Sequence, residues 1–229
     1  MLSNRRAILV VNFKNFHEIF GEKALELALD VQDVSKTLEI PIIVSPPVPV
    51  ISIMVKSLGI PVYSQHVDVD AVGSSTGAVI PELLQSLGVR GSILNHSERR
   101  IPIKDIEELI KRLRKIGMKS LVCARTPEEV GEIARLGPDM LAVEPPELIG
   151  SGRAVSKVAP EIVSDSVRAS KRVNPKVQIL CGAGVVSPED VEISLRLGAE
   201  GVLVASGIVR AQDWKSKIME LARPLRRQV

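Results

Sequence analysis

Eight short apolar runs alternate with amphipathic stretches from one end of this chain to the other, and no other feature restricts its fold as strongly. The runs read as strands at residues 7–12, 42–45, 62–65, 92–95, 120–124, 140–144, 177–181 and 201–205. Helical patterns fill the gaps, most clearly at 22–38, 103–116, 127–135, 160–172, 188–197 and 214–221. Thr126-Pro127 and Ser187-Pro188 each pair a capping residue with proline at the first helical position. Strands that are apolar throughout are covered on both faces, which implies parallel pairing through crossover helices. Eight such units in 229 residues favour a closed (β/α)8 barrel over an open doubly wound sheet, as one domain across residues 1–229. The weakest unit is the second, where Pro46, Pro47 and Pro49 crowd a short helix near 51–58.

The interior must be built mainly from Val, Ile, Leu and Ala, because the chain has one Trp, one Tyr and three Phe. A formal net charge of +3 is too small to imply a nucleic-acid or membrane partner. The basic run Lys111-Arg-Leu-Arg-Lys115 falls where a helix ends, and there cations complement the helix dipole. Cys123 and Cys181 both lie inside apolar runs, which suits small buried thiols better than a disulfide. No run approaches the ~18 apolar residues of a membrane span, and no signal-peptide core precedes the first strand. A cytoplasmic location is the expectation.

In a barrel of this kind the site forms at the C-terminal ends of the strands. Glu144 leaves the sixth run and opens Ala142-Val-Glu-Pro-Pro-Glu-Leu-Ile-Gly-Ser-Gly152, where prolines stiffen one end of a loop and glycines free the other. A carboxylate covered by such a loop can have its pKa raised enough to take a proton from carbon. The plainer reading is a strand-end Glu that caps a helix or pairs with Arg. Asn12 and Lys14 follow the first strand, where Lys14 offers a cation to an anionic substrate. His96 follows the fourth, in Asn95-His-Ser-Glu-Arg-Arg100; a short turn starting there would disfavour imidazolium and leave a neutral ring to hydrogen-bond a carbonyl. Cys181-Gly-Ala-Gly-Val185 and Ala205-Ser-Gly207 follow strands seven and eight. Each loop alone could be a tight turn; together they favour phosphate held by backbone N–H groups. No HxH, HExxH or CxxC pattern offers a metal site, and no GxGxxG follows the first strand, so neither metal nor dinucleotide is expected.

Together these motifs resemble the triosephosphate isomerase family in its shorter archaeal form, along the whole chain. The carrying segments are Asn12-Phe-Lys14, His96-Ser-Glu-Arg-Arg100, Glu144-Pro-Pro-Glu-Leu-Ile-Gly150 and the small-residue loops near Gly184 and Ala205. The resemblance implies a TIM barrel that interconverts dihydroxyacetone phosphate and glyceraldehyde 3-phosphate in glycolysis and gluconeogenesis, with no cofactor. It makes Glu144 the proton shuttle, His96 the electrophile and Lys14 the substrate cation, with Asn12 beside it and Glu98 paired to Lys14. Ile149 and Gly150 on a closing lid, with Gly184, Ala205 and Ser206, would meet the phosphate. Gly73-Ser-Ser-Thr-Gly77 resembles the family's loop that enters a neighbouring subunit, where Thr76 would support Asn12 and Lys14. That implies a dimer, and the shortened form is associated with homotetramers. Outside the archaeal form the family usually has Gly where this chain has Asn95, and the lid commonly contains a Trp that this chain lacks. Gly182-Ala-Gly184 replaces Gly-Gly-Ser, and Ala205-Ser206 replaces two glycines.

Overall fold

The computed structural model describes residues 6–145 and 154–226. Eight parallel strands carry the sheet: β1 (Ile8–Asn12), β2 (Ile42–Ser45), β3 (Tyr63–Ser64), β4 (Gly91–Leu94), β5 (Lys119–Ala124), β6 (Met140–Val143), β7 (Gln178–Cys181) and β8 (Gly201–Val204). They pair in the order β2-β1-β8-β7-β6-β5-β4-β3. The two ends of that order meet through a parallel bridge between Val44 and Val62, with Val44 N–H donating to Pro61 O at 3.1 Å. The sheet is therefore a ring of a (β/α)8 TIM barrel, and its weakest seam is the β2–β3 closure.

Ten helices surround it among the described residues: α1 (Lys23–Leu38), α2 (Ile51–Ser57), α3 (Pro81–Ser86), α4 (Ile103–Lys115), α5 (Pro127–Leu136), α6 (Val155–Val158), α7 (Pro160–Val173), α8 (Pro188–Arg196), α9 (Ser206–Val209) and α10 (Trp214–Ala222). Helix α4 shows the logic. Ile106, Leu109, Ile110 and Leu113 recur at helical spacing and are all buried, while Arg112, Arg114 and Lys115 occupy its last turn. Thr126 caps α5 by accepting from Glu129 N–H, and Ser187 and Asp190 form a reciprocal capping box on α8. Two apolar layers follow from strand alternation. One fills the barrel, with Val10, Ile93, Leu121, Ala142, Leu180 and Leu203; the other lies between strands and helices, with Leu9, Val11, Leu27, Val122, Leu141 and Val202. Each fully buried Leu or Ile contributes about 1.5–3 kcal/mol relative to exposure.

Strand ends differ from the sequence reading by a residue or two. The fourth strand stops at Leu94 because Asn95 turns left-handed, with φ 58°. The third shrinks to Tyr63–Ser64, since its only partner on the β2 side is the single bridge at Val62. Among the described residues no helix is long and apolar enough to cross a membrane.

Candidate active site

Side chains alternate along a strand, so the inward set can be followed to the rim. Two residues beyond the interior positions Val10, Tyr63, Ile93, Ala142, Leu180 and Leu203 stand Asn12, Gln65, Asn95, Glu144, Gly182 and Ala205. One parity of the barrel thus delivers polar or small residues to the C-terminal mouth of six strands.

Glu144 is 3 % exposed, and its N–H donates to Ala124 O at 2.7 Å, continuing the β5–β6 ladder. Its Oε2 has no hydrogen-bond partner among the described residues. Burial raises its pKa above the usual carboxylate value, while the neighbouring His96, the Cys123 thiol that donates to it and the Lys14 ammonium pull the other way. Burial likewise pushes the Cys123 thiol well up, with the Glu144 carboxylate adding to the effect. The strand across from Glu144 carries Gly182. A Cβ there would lie 2.5 Å from Glu144 Cγ and 3.0 Å from Oε1, so the bare glycine is the space the carboxylate occupies.

His96 is turned into the same pocket by the left-handed Asn95. That residue is held by its own side chain, which donates to Cys123 O at 3.0 Å and accepts from Ile101 N–H at 3.1 Å. Asparagine tolerates this conformation better than other non-glycine residues, which suits it to this position. The N–H of Glu98 donates to His96 Nδ1 at 3.2 Å. An N–H can only donate, so this bond leaves the ring proton on Nε2. That atom lies 3.7 Å from Glu144 Oε1.

Lys14 sits at φ 49°, and its ammonium donates to Glu98 Oε1 at 2.7 Å. Asn12 Oδ1 accepts from Lys14 N–H at 3.0 Å and from Gln65 Nε2 at 3.3 Å, which leaves the Asn12 amide nitrogen available to donate. Gln65 Nε2 also reaches Lys14 O at 3.0 Å and Ser45 O at 3.2 Å, tying the ends of β1, β2 and β3 together.

Asn12, Lys14, His96 and Glu144 line one cavity with Gly182, Gly184, Ala205, Ser206 and Gly207. Gly184 has φ 72°, and α9 begins at Ser206 directly after β8, so its first N–H groups have no intrahelical partners. Thr76 is exposed in the loop between β3 and α3 and does not line this cavity. Ile149 and Gly150 lie outside the described residues. Among the described residues no cluster of three His, Cys, Asp or Glu side chains could hold a metal. Sequence reasoning missed Gln65 and Cys123 as site residues, and Gly182 as the neighbour that leaves room for Glu144. Only strand parity, counted back from Glu144 and Asn12, could have pointed to them.

A family model described as triosephosphate isomerase matches residues 7–222. A triosephosphate isomerase of Archaeoglobus fulgidus is 43 % identical over 217 residues, covering 95 % of this chain and 97 % of that one. Those of Methanothermus fervidus and Methanocaldococcus jannaschii are 45 % and 42 % identical over 216 residues, each covering 94 % of this chain and 97 % and 99 % of theirs. With a matching family model over nearly the whole barrel and relatives of similar length, this chain belongs to the triosephosphate isomerase family.

Proposed function

We propose that this protein interconverts dihydroxyacetone phosphate and D-glyceraldehyde 3-phosphate, working as a single (β/α)8 domain in glycolysis and gluconeogenesis. Glu144 takes a proton from the hydroxymethyl carbon of dihydroxyacetone phosphate. The electron pair left behind forms the carbon–carbon double bond, and the carbonyl oxygen takes up the negative charge. Nε2–H of His96, the Lys14 ammonium and the Asn12 amide hold that enediolate. Glu144 then returns the proton to the neighbouring carbon while the hydroxyl proton of the first oxygen passes to the second by way of His96 Nε2, leaving an aldehyde and a hydroxyl. Two adjacent carbons can share one base because a carboxylate reaches both, so the chemistry needs neither metal nor organic cofactor.

The phosphate would rest on backbone N–H groups at Gly184, Ala205 and Ser206, with Ile149 and Gly150 closing over it. Excluding water matters here, since a wet enediolate would expel its phosphate. The same reading makes the protein a cytoplasmic homo-oligomer built on dimers, with the Gly73–Gly77 loop and Thr76 reaching a partner's Asn12 and Lys14.

The observation that carries the proposal is the meeting, in one cavity, of a buried carboxylate, an imidazole Nε2–H and an ammonium. A coupled assay with each triose phosphate tests it. Turnover in both directions, without added metal, is expected. Binding of a phosphate-bearing inhibitor with no turnover would instead describe a metabolite sensor and overturn the enzymatic reading.

A further inference from the structure

The opposite end of the barrel has a cleft of its own. It is framed by the first residues of five strands, Ile8, Tyr63, Lys119, Met140 and Gln178, and by the turns after α5 and α7. Four cations line it, Arg114, Lys119, Arg135 and Lys176, against the single carboxylate of Asp139. Asp139 is already committed: it accepts from Lys119 Nζ at 2.7 Å and from Ser120 N–H at 3.0 Å. Arg114 donates to Gly137 O. Arg135 has no hydrogen-bond or ion-pair partner among the described residues.

The floor of this cleft is Tyr63, only 4 % exposed. Gly91 makes the slot for its ring, because a Cβ there would fall 2.6 Å from Tyr63 Cε2 and Cζ. The hydroxyl makes no hydrogen bond to another described residue and is not among the fully buried polar atoms, so it is open to the cleft. Burial raises its pKa, and the charge on Asp139 adds to that, so at neutral pH it stays an O–H donor. It lies in the same cleft as Arg135, a cleft whose apolar walls are Ile8, Ile43, Leu136 and Met140.

We infer that this cleft binds a small multivalent oxyanion, with Arg135 and its neighbouring cations on the charge and the Tyr63 hydroxyl donating from below. The site is independent of the catalytic cavity, being formed by the N-terminal rather than the C-terminal ends of the strands.

Tyr63 is the only tyrosine in the chain. Labelling with 3-fluorotyrosine therefore places one ¹⁹F reporter in this cleft and none in the catalytic cavity. Titration of the labelled protein with inorganic pyrophosphate should shift that single resonance saturably, with half-saturation at or below about 1 mM. Arg135→Gln should weaken the response about tenfold, consistent with losing one charge-assisted contact. Lys14→Met should leave it intact. The inference fails if the shift is absent at about 10 mM pyrophosphate. It fails equally if sodium chloride of equal ionic strength reproduces the shift, if Arg135→Gln responds unchanged, or if Lys14→Met abolishes it. Arg135→Gln should retain turnover, which separates loss of the site from loss of the fold.

Discussion

Gly182 has no side chain because Glu144 occupies the space one would need, with 2.5 Å between a hypothetical Cβ and Glu144 Cγ. Contact that close between carbon atoms is not tolerated, so one group must move. The strand β7 backbone is held by the β6 ladder, where Gly182 N–H donates to Val143 O at 3.0 Å. The mobile partner is the carboxylate.

Gly182→Ala should therefore push Glu144 aside by about an ångström and lower kcat on the order of 100-fold, the scale of a misplaced catalytic group. KM should change only a few-fold, because the N–H groups proposed to meet the phosphate lie further along the loop. A variant with wild-type kcat would show that Glu144 is not the proton-transfer group in its observed position.

How much of this was legible beforehand follows a physical division. The eight units could be read because each is a continuous local pattern, and Glu144, His96 and Lys14 because each ends such a pattern. What could not be read depends on neighbours far away in sequence. Cys123 reaches Glu144 only through the β5–β6 register, which sets Cys123 beside Ala142. Gln65 matters because β3 ends where β1 and β2 also end. Helix α3 is only weakly marked in the sequence, because its six residues, with Leu83 exposed, show little periodicity. Asn95 looked like a departure from a family pattern until its positive φ showed the backbone constraint that glycine and asparagine both satisfy.

The acid limb of the pH–rate profile should lie above the ordinary carboxylate range. Burial raises the Glu144 pKa, so a larger share of the enzyme carries a protonated, inactive base at mildly acidic pH. The Cys123 thiol works against burial by donating to the carboxylate. Cys123→Ala should therefore move the acid limb of kcat/KM to still higher pH, with a stability loss of about 1 kcal/mol for the small cavity. An unmoved limb would mean the thiol does not tune the base.

The same carboxylate should weaken the fold it serves. Its folded pKa is above its unfolded one, so across that interval the native state binds more protons and stability falls as pH rises. Above the folded pKa the full penalty applies. Glu144→Gln should thus unfold at higher denaturant than wild type at pH 8, by on the order of 1 kcal/mol. The advantage should disappear below the unfolded carboxylate pKa. A Gln variant less stable than wild type at pH 8 would argue that the charge is better compensated than its unpartnered Oε2 indicates. Turnover of that variant should drop at least about 100-fold, since the proposed general base is gone.

Lys14 poses a question of division, because its ammonium already has a partner. The side chains of Lys14 and Glu98 are 13 % and 59 % exposed, so Glu98 can be solvated alone and Lys14 cannot. Lys14→Met should then cost less than about 1 kcal/mol in stability, as expected when one member of a half-exposed pair is removed. Its effect on function should be far larger. Without the ammonium, a phosphate-bearing inhibitor should bind at least about tenfold more weakly, and kcat should fall by roughly 100-fold as enediolate stabilisation is lost. Glu98→Gln supplies the contrast. It frees the ammonium without removing it, so inhibitor binding should hold or tighten while melting temperature stays within a few degrees. If Glu98→Gln proved as damaging as Lys14→Met, the ion pair itself, and not the cation facing the cavity, would be the functional unit.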